Sequence, residues 1–177
     1  MRWGRATFCI AAGAGLMLAP APAMAASAEA KVKAAYLYKL ASFVRWPDGA
    51  GRRGEFRMCV AGSNEVAGAL RDLVRGERVL GVPVTVATLA ASRSGDARSC
   101  HILYVARGRE AAQALTGAAS GAPVLTVADR NGGTSGGVID FVVRDGKVRF
   151  MIDRTLARRQ KVELSSKLLD IALAVEP

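Results

Sequence analysis

Apolar and polar positions follow two periods along this chain. From residue 28 to 46, AEAKVKAAYLYKLASFVRW sets Val32, Tyr36, Leu40 and Phe43 at helical spacing, with Lys31, Lys33 and Lys39 largely off that stripe. Pro47 disfavours helical backbone at Trp46, so the pattern predicts a helix ending there, followed by a DGAGRRG loop. Phe56–Ala61, FRMCVA, reads as a short buried strand. Ser63 is placed to cap a helix whose Val66, Leu70, Leu73 and Val74 share one face, and Gly76 stops it. Strand signals return at residues 84–89, 101–106 and 123–128, with a weaker helix over 109–115.

The alternation of strand and helix predicts an α/β fold, a single-domain layered sandwich with parallel βαβ pairings in a mixed sheet. Its end departs from that rhythm. In VIDFVVRDGKVRFMID, Asp145-Gly146 suits a two-residue turn with positive φ at both positions. The turn sets Val143 against Val148, Phe141 against Phe150 and Ile139 against Ile152, all six on one side of an antiparallel hairpin. Asp140, Arg144, Lys147, Arg149 and Asp153 lie on the other side, which should be half solvated. A one-residue slip would put the six apolar groups in water, so the register is firm. A final helix over 164–175, with Leu164, Leu168, Ile171 and Val175 in one stripe, is predicted to cover the apolar side of the hairpin.

The chain begins MRWGRATFCIAAGAGLMLAPAPAMA. Two arginines, a long uncharged stretch and Ala23-Met24-Ala25 have the layout of a cleaved secretory signal over residues 1–25, leaving an exported domain of residues 26–177. The competing reading is a retained anchor, but the uncharged stretch is rich in Ala and Gly and broken by Pro20 and Pro22. Arg2 and Arg5 leave with the signal, so 23 basic residues face 15 acidic ones. They are scattered, with no basic run or aromatic-interleaved patch, which argues against nucleic acid as partner.

Cleavage also removes Cys9 and leaves Cys59 and Cys100. An even count in an oxidising compartment favours one bridge, with free thiols and metal ligation as the alternatives. Cys100 adjoins the only histidine, His101, but neighbouring side chains on a strand point to opposite faces. No Cys-His dyad can form there, and two ligands fall short of a zinc site. His101 is expected to be partly buried and bonded to a neighbouring element. Gly133-Thr134-Ser135-Gly136-Gly137 matches a nucleophile-elbow pattern, yet it leads into a strand and the histidine precedes it. The same loop lacks the following Lys-Ser/Thr and helix of a phosphate cradle. Asp96, Asp129, Asp140 and Asp153 are expected in turn and cap roles. No cofactor, metal site or catalytic group is implied.

Several segments together resemble the YfiR family of bacterial periplasmic proteins. They are KAAYLYKLASFVRWP (33–47), FRMCVAG around Cys59, GVPVTVATL, CHILYVA from Cys100, PVLTVAD, GGVIDFVVRDGKVRFMID and ELSSKLLDIA. The resemblance implies a non-enzymatic periplasmic repressor that binds the periplasmic sensor region of an inner-membrane diguanylate cyclase, lowering cyclic di-GMP and biofilm formation. It also implies an outer-membrane lipoprotein that draws the repressor away, a homodimer, and a redox-linked disulfide that maps onto Cys59 and Cys100. Some relatives carry a second cysteine pair, absent here. The segment before Gly136-Gly137 lacks an aromatic residue common in relatives, and Asp153 stands where asparagine is frequent.

Two other functions compete: a small-ligand sensor module acting on another envelope protein, and a hydrolase using Ser135. For a partner surface, Arg45 and Trp46 are the first candidates, because Arg and Trp are enriched at binding hot spots. The alternative packs Trp46 as a core plug and leaves Arg45 solvated.

Overall fold

The computed structural model describes residues 27–47 and 54–177. The signal sequence assigned to residues 1–25 and the loop at 48–53 lie outside the described residues. No helix among the described residues is long and apolar enough to cross a membrane.

Helix α1 (Ala28–Phe43) starts at Ser27, whose hydroxyl accepts the Ala30 N–H at 3.2 Å. It ends three residues earlier than Pro47 suggested. Val44–Arg45 forms β1, paired antiparallel with β9 (Glu163–Leu164), and the Ser165 N–H takes the Phe43 carbonyl at 2.9 Å. Tertiary pairing, not proline, stops the helix. Its buried face also differs from the expected stripe. Ala30, Lys33, Ala34, Leu37, Leu40 and Ala41 are buried, whereas Val32 is exposed. The small alanines let the backbone approach the sheet closely, which outweighs the larger residues of the neighbouring stripe.

The main sheet comprises β2 (Phe56–Ala61), β3 (Arg78–Val79), β4 (Val82–Thr88), β5 (Ile102–Val105), β6 (Leu125–Asp129), β7 (Ile139–Arg144), β8 (Lys147–Asp153) and β10 (Ala174–Glu176). Their spatial order is β10-β8-β7-β6-β5-β2-β4-β3. β4, β2, β5, β6 and β7 run parallel, while β3 and β8 pair antiparallel with β4 and β7. The central strands are buried on both faces, which is why they read as continuous apolar runs. Phe56, Met58 and Val60 with Ile102 and Tyr104 point to a core shared with α1 and α2 (Asn64–Leu73). Cys59, Ala61, Leu103 and Val105 point to a second core under α3 (Arg109–Ala119) and the 3-10 segment Ala91–Ser99.

Helix α2 is capped by Ser63 as expected, but Leu73 is exposed, so Val66, Leu70 and Val74 make its buried face. The hairpin has the predicted register, with Val143 on Val148, Phe141 on Phe150 and Ile139 on Ile152, and positive φ at Asp145 and Gly146. Its apolar side is covered by α1, where Tyr36 lies 5.9 Å from both Phe141 and Phe150. The expected terminal helix over 164–175 does not form. Leu164 belongs to β9, α5 (Ser166–Asp170) is one short turn, and residues 174–176 add β10 parallel to β8. Of its proposed stripe only Leu168 is buried, and Ile171 is 60% exposed.

Cys59 and Cys100 form the disulfide, with Cα atoms 5.9 Å apart. It fastens central β2 to the residue preceding the β5 neighbourhood, inside the core beneath α3.

Candidate functional site

The carboxyl ends of β2 and β5 lie side by side, but the chain leaves them in opposite directions. After β2 it rises to α2 on the α1 face, and after β5 to α3 on the other face. Diverging loops at a reversal of strand order open a crevice in α/β sheets. A cleft of about 580 Å³ lies there, lined among others by Lys33, Glu65, Tyr104, Arg107, Asp129 and Asn131.

Three loops build its rim, and glycine lets them touch. Gly62 follows β2 at φ +78°, and a Cβ there would fall 2.9 Å from the Arg107 backbone nitrogen. Gly132 follows β6, where a Cβ would fall 1.7 Å from the Ala106 carbonyl oxygen. Thr134 locks the same corner: its hydroxyl donates to the Val105 carbonyl at 2.8 Å and accepts the Asp129 N–H at 2.7 Å.

The floor of the cleft is an ionic cluster. Asp129 ends β6 and accepts from Lys33 Nζ at 2.5 Å and from the Tyr104 hydroxyl at 2.6 Å on Oδ2. Its Oδ1 accepts the Asn131 and Gly132 N–H groups. Lys33 also bridges to Glu29 one turn earlier in α1. Burial alone would lower the Lys33 pKa, but hydrogen bonds and charge from Asp129 and Glu29 outweigh it, and the ammonium holds its proton above the ordinary lysine value. Burial, reinforced by the bond to Asp129, drives the Tyr104 phenol far above its ordinary range. Tyr104 therefore stays a neutral donor and Lys33 stays charged. Through Asp129 Oδ2 the cluster pins α1 to the sheet.

Of the residues singled out from the sequence, Asp129 lines this cleft and the others lie elsewhere. Asp129 was expected to serve a turn, and it does, but its bond to Lys33 carried no local signal because the two are 96 residues apart. Asp140 accepts from Arg130 Nε and the Gly137 N–H, and Asp153 caps α4 (Arg154–Arg159) through the Leu156 N–H. His101 is buried, its Nδ1 accepting the Arg57 N–H at 2.9 Å and its ring stacked on Phe56 at 4.5 Å. Ser135 is exposed on its loop. Among the described residues no group of three or more His, Cys, Asp or Glu side chains converges as a metal site.

Arg45 and Trp46 lie near the opposite end of α1. Trp46 is buried, its indole N–H donating to the Ala41 carbonyl at 3.0 Å and its ring edge-on to Phe56. Arg45 is exposed and 3.5 Å from Glu163, with both side chains largely in solvent. The pair is thus split, one residue in the core and one on the surface.

Comparison with curated proteins returns no match. The profile of one family, described as YfiR/HmsC-like, matches residues 30–173, a span that takes in all of the main sheet but its last strand, the disulfide, and the cleft except for Ser27 and Glu29. By that match the chain belongs to the YfiR/HmsC-like family.

Proposed function

We propose that the protein is a periplasmic repressor that binds the periplasmic sensor region of an inner-membrane diguanylate cyclase and so lowers cyclic di-GMP and biofilm formation. The observation that carries this reading is the family match over residues 30–173. An Asp129 carboxylate spent on Lys33, Tyr104 and two backbone N–H groups suits a structural role, in keeping with a protein that acts by binding. The same reading includes export by a cleaved signal over residues 1–25, capture by an outer-membrane lipoprotein, and a homodimer. Its partner face includes the exposed Arg45, next in the chain to Trp46, which is buried in the core.

Deleting the gene in a strain with its cyclases intact and measuring intracellular cyclic di-GMP tests the proposal. The level should rise and return on complementation; an unchanged level refutes it. A second reading, a small-ligand sensor acting on another envelope protein, is favoured by one feature, the polar cleft at the carboxyl edge of the sheet.

A further inference from the structure

The cleft holds more than its ionic floor. Arg107, the second residue after β5, stands exposed on the rim and makes no hydrogen bond or ion pair among the described residues. Lys33 is already shared by Glu29 and Asp129, whose two carboxylates balance its charge. The guanidinium is the lining cation whose charge no carboxylate of the cleft answers, and its planar fork suits the paired oxygens of a carboxylate or phosphate. Acceptors face it from the α1 and α2 side. Glu65 accepts the Ser27 hydroxyl on one oxygen, and Glu29 binds Lys33 through one oxygen, so each keeps a second for a donor. Asn131 uses its carbonyl on the Val143 N–H, which leaves its amide NH₂ to donate.

Apolar lining comes from Ala30, Val66, Ala106 and Val143, too little to hold a flat hydrophobic molecule. The volume of about 580 Å³ lies in the range of small-molecule sites. Loops packed at Gly62 and Gly132 fix the rim before any ligand arrives, which reduces the ordering cost of binding.

We propose that this crevice binds a small polyhydroxylated or amino-bearing metabolite that carries a carboxylate or phosphate. Its oxyanion sits on Arg107 and its hydroxyl or ammonium donors on Glu29 and Glu65. The inference rests on the sensor reading and names its ligand chemistry. It does not depend on a cyclase, so its failure leaves the repressor reading standing.

Three probes separate the sources of the anion: gluconate, glucose 6-phosphate and, as the neutral control, glucose. Amide chemical shifts of the purified protein are followed by NMR during titration to about 10 mM. Saturable shifts at residues 62–64, 107 and 131–132 are expected with gluconate, with glucose 6-phosphate or with both, and not with glucose. Which anion binds more tightly identifies the ligand class. Arg107→Gln, at an exposed position, should keep the spectrum of a folded protein and weaken binding about tenfold or more. No shift with either anion, equal shifts with glucose, or undiminished binding by Arg107→Gln would overturn the proposal.

Discussion

Replacing Lys33 by methionine keeps the aliphatic stem against α1's neighbours and removes the ammonium that Asp129 and Glu29 share. Asp129 is then left buried with its charge answered by one hydroxyl and two N–H groups. Removing one partner of a buried ion pair costs about 3–5 kcal/mol. The cleft admits water beside this pair and Asp129 keeps three donors, which places the loss near the lower end, about 3 kcal/mol. That is a large part of the ~5–15 kcal/mol that holds an ordinary domain together. At about 2–4 °C per kcal/mol for a domain of this size, the melting temperature should fall by roughly 6–12 °C.

Urea unfolding followed by fluorescence of Trp46, buried in the folded state, measures the change. Lys33→Met with Asp129→Asn should recover part of the loss, because no unpaired charge then remains inside. The pH dependence has a definite sign. The folded-state pKa of Lys33 lies above its ordinary 10.5, so the ammonium's contribution is complete below that value and is lost as pH rises past it. The gap between wild type and Lys33→Met should thus hold steady near neutrality and close in strong alkali. A single variant within about 0.5 kcal/mol of wild type would refute the reasoning.

Other expectations are simpler to test. Cys59→Ala with Cys100→Ala, or thorough reduction, should cost about 4 kcal/mol, from the entropy of a loop closed between residues 41 apart, read by urea unfolding with and without reductant. Gly132→Ala should lose about 2 kcal/mol or more in the same assay, since its Cβ has no room beside the Ala106 carbonyl; an unchanged midpoint would show that the loop yields freely. Arg45→Glu breaks only an exposed pair, so stability should stay within about 0.5 kcal/mol while repression of cyclic di-GMP is lost. Full repression by that variant would remove Arg45 from the partner face.

The strands at the centre of the sheet were legible because burial on both sides leaves unbroken apolar runs such as FRMCVA. The hairpin was legible because Asp145-Gly146 fixes its turn, and a fixed turn fixes every cross-strand partner. The first helix was legible as a helix but not in its orientation. Large residues such as Val32 drew the stripe, whereas close packing chose Ala30, Ala34 and Ala41. The end of the chain misled because Leu164, Leu168, Ile171 and Val175 fit a helical period, while only contact with β8 and β1 reveals two strands around one turn. The cleft was hidden for the same reason. Its loops come together through the order of strands in space, and Lys33 reads as a solvated lysine until Asp129 is brought to it.

Strand β10 covers the outer edge of β8, and the Thr155 hydroxyl donates to the Pro177 carbonyl at 2.7 Å. Without those residues, β8 presents a bare row of backbone donors and acceptors on which another molecule can template. Deleting residues 174–177 would leave that flank open. Such a deletion should therefore reveal itself through aggregation before any loss of recognition.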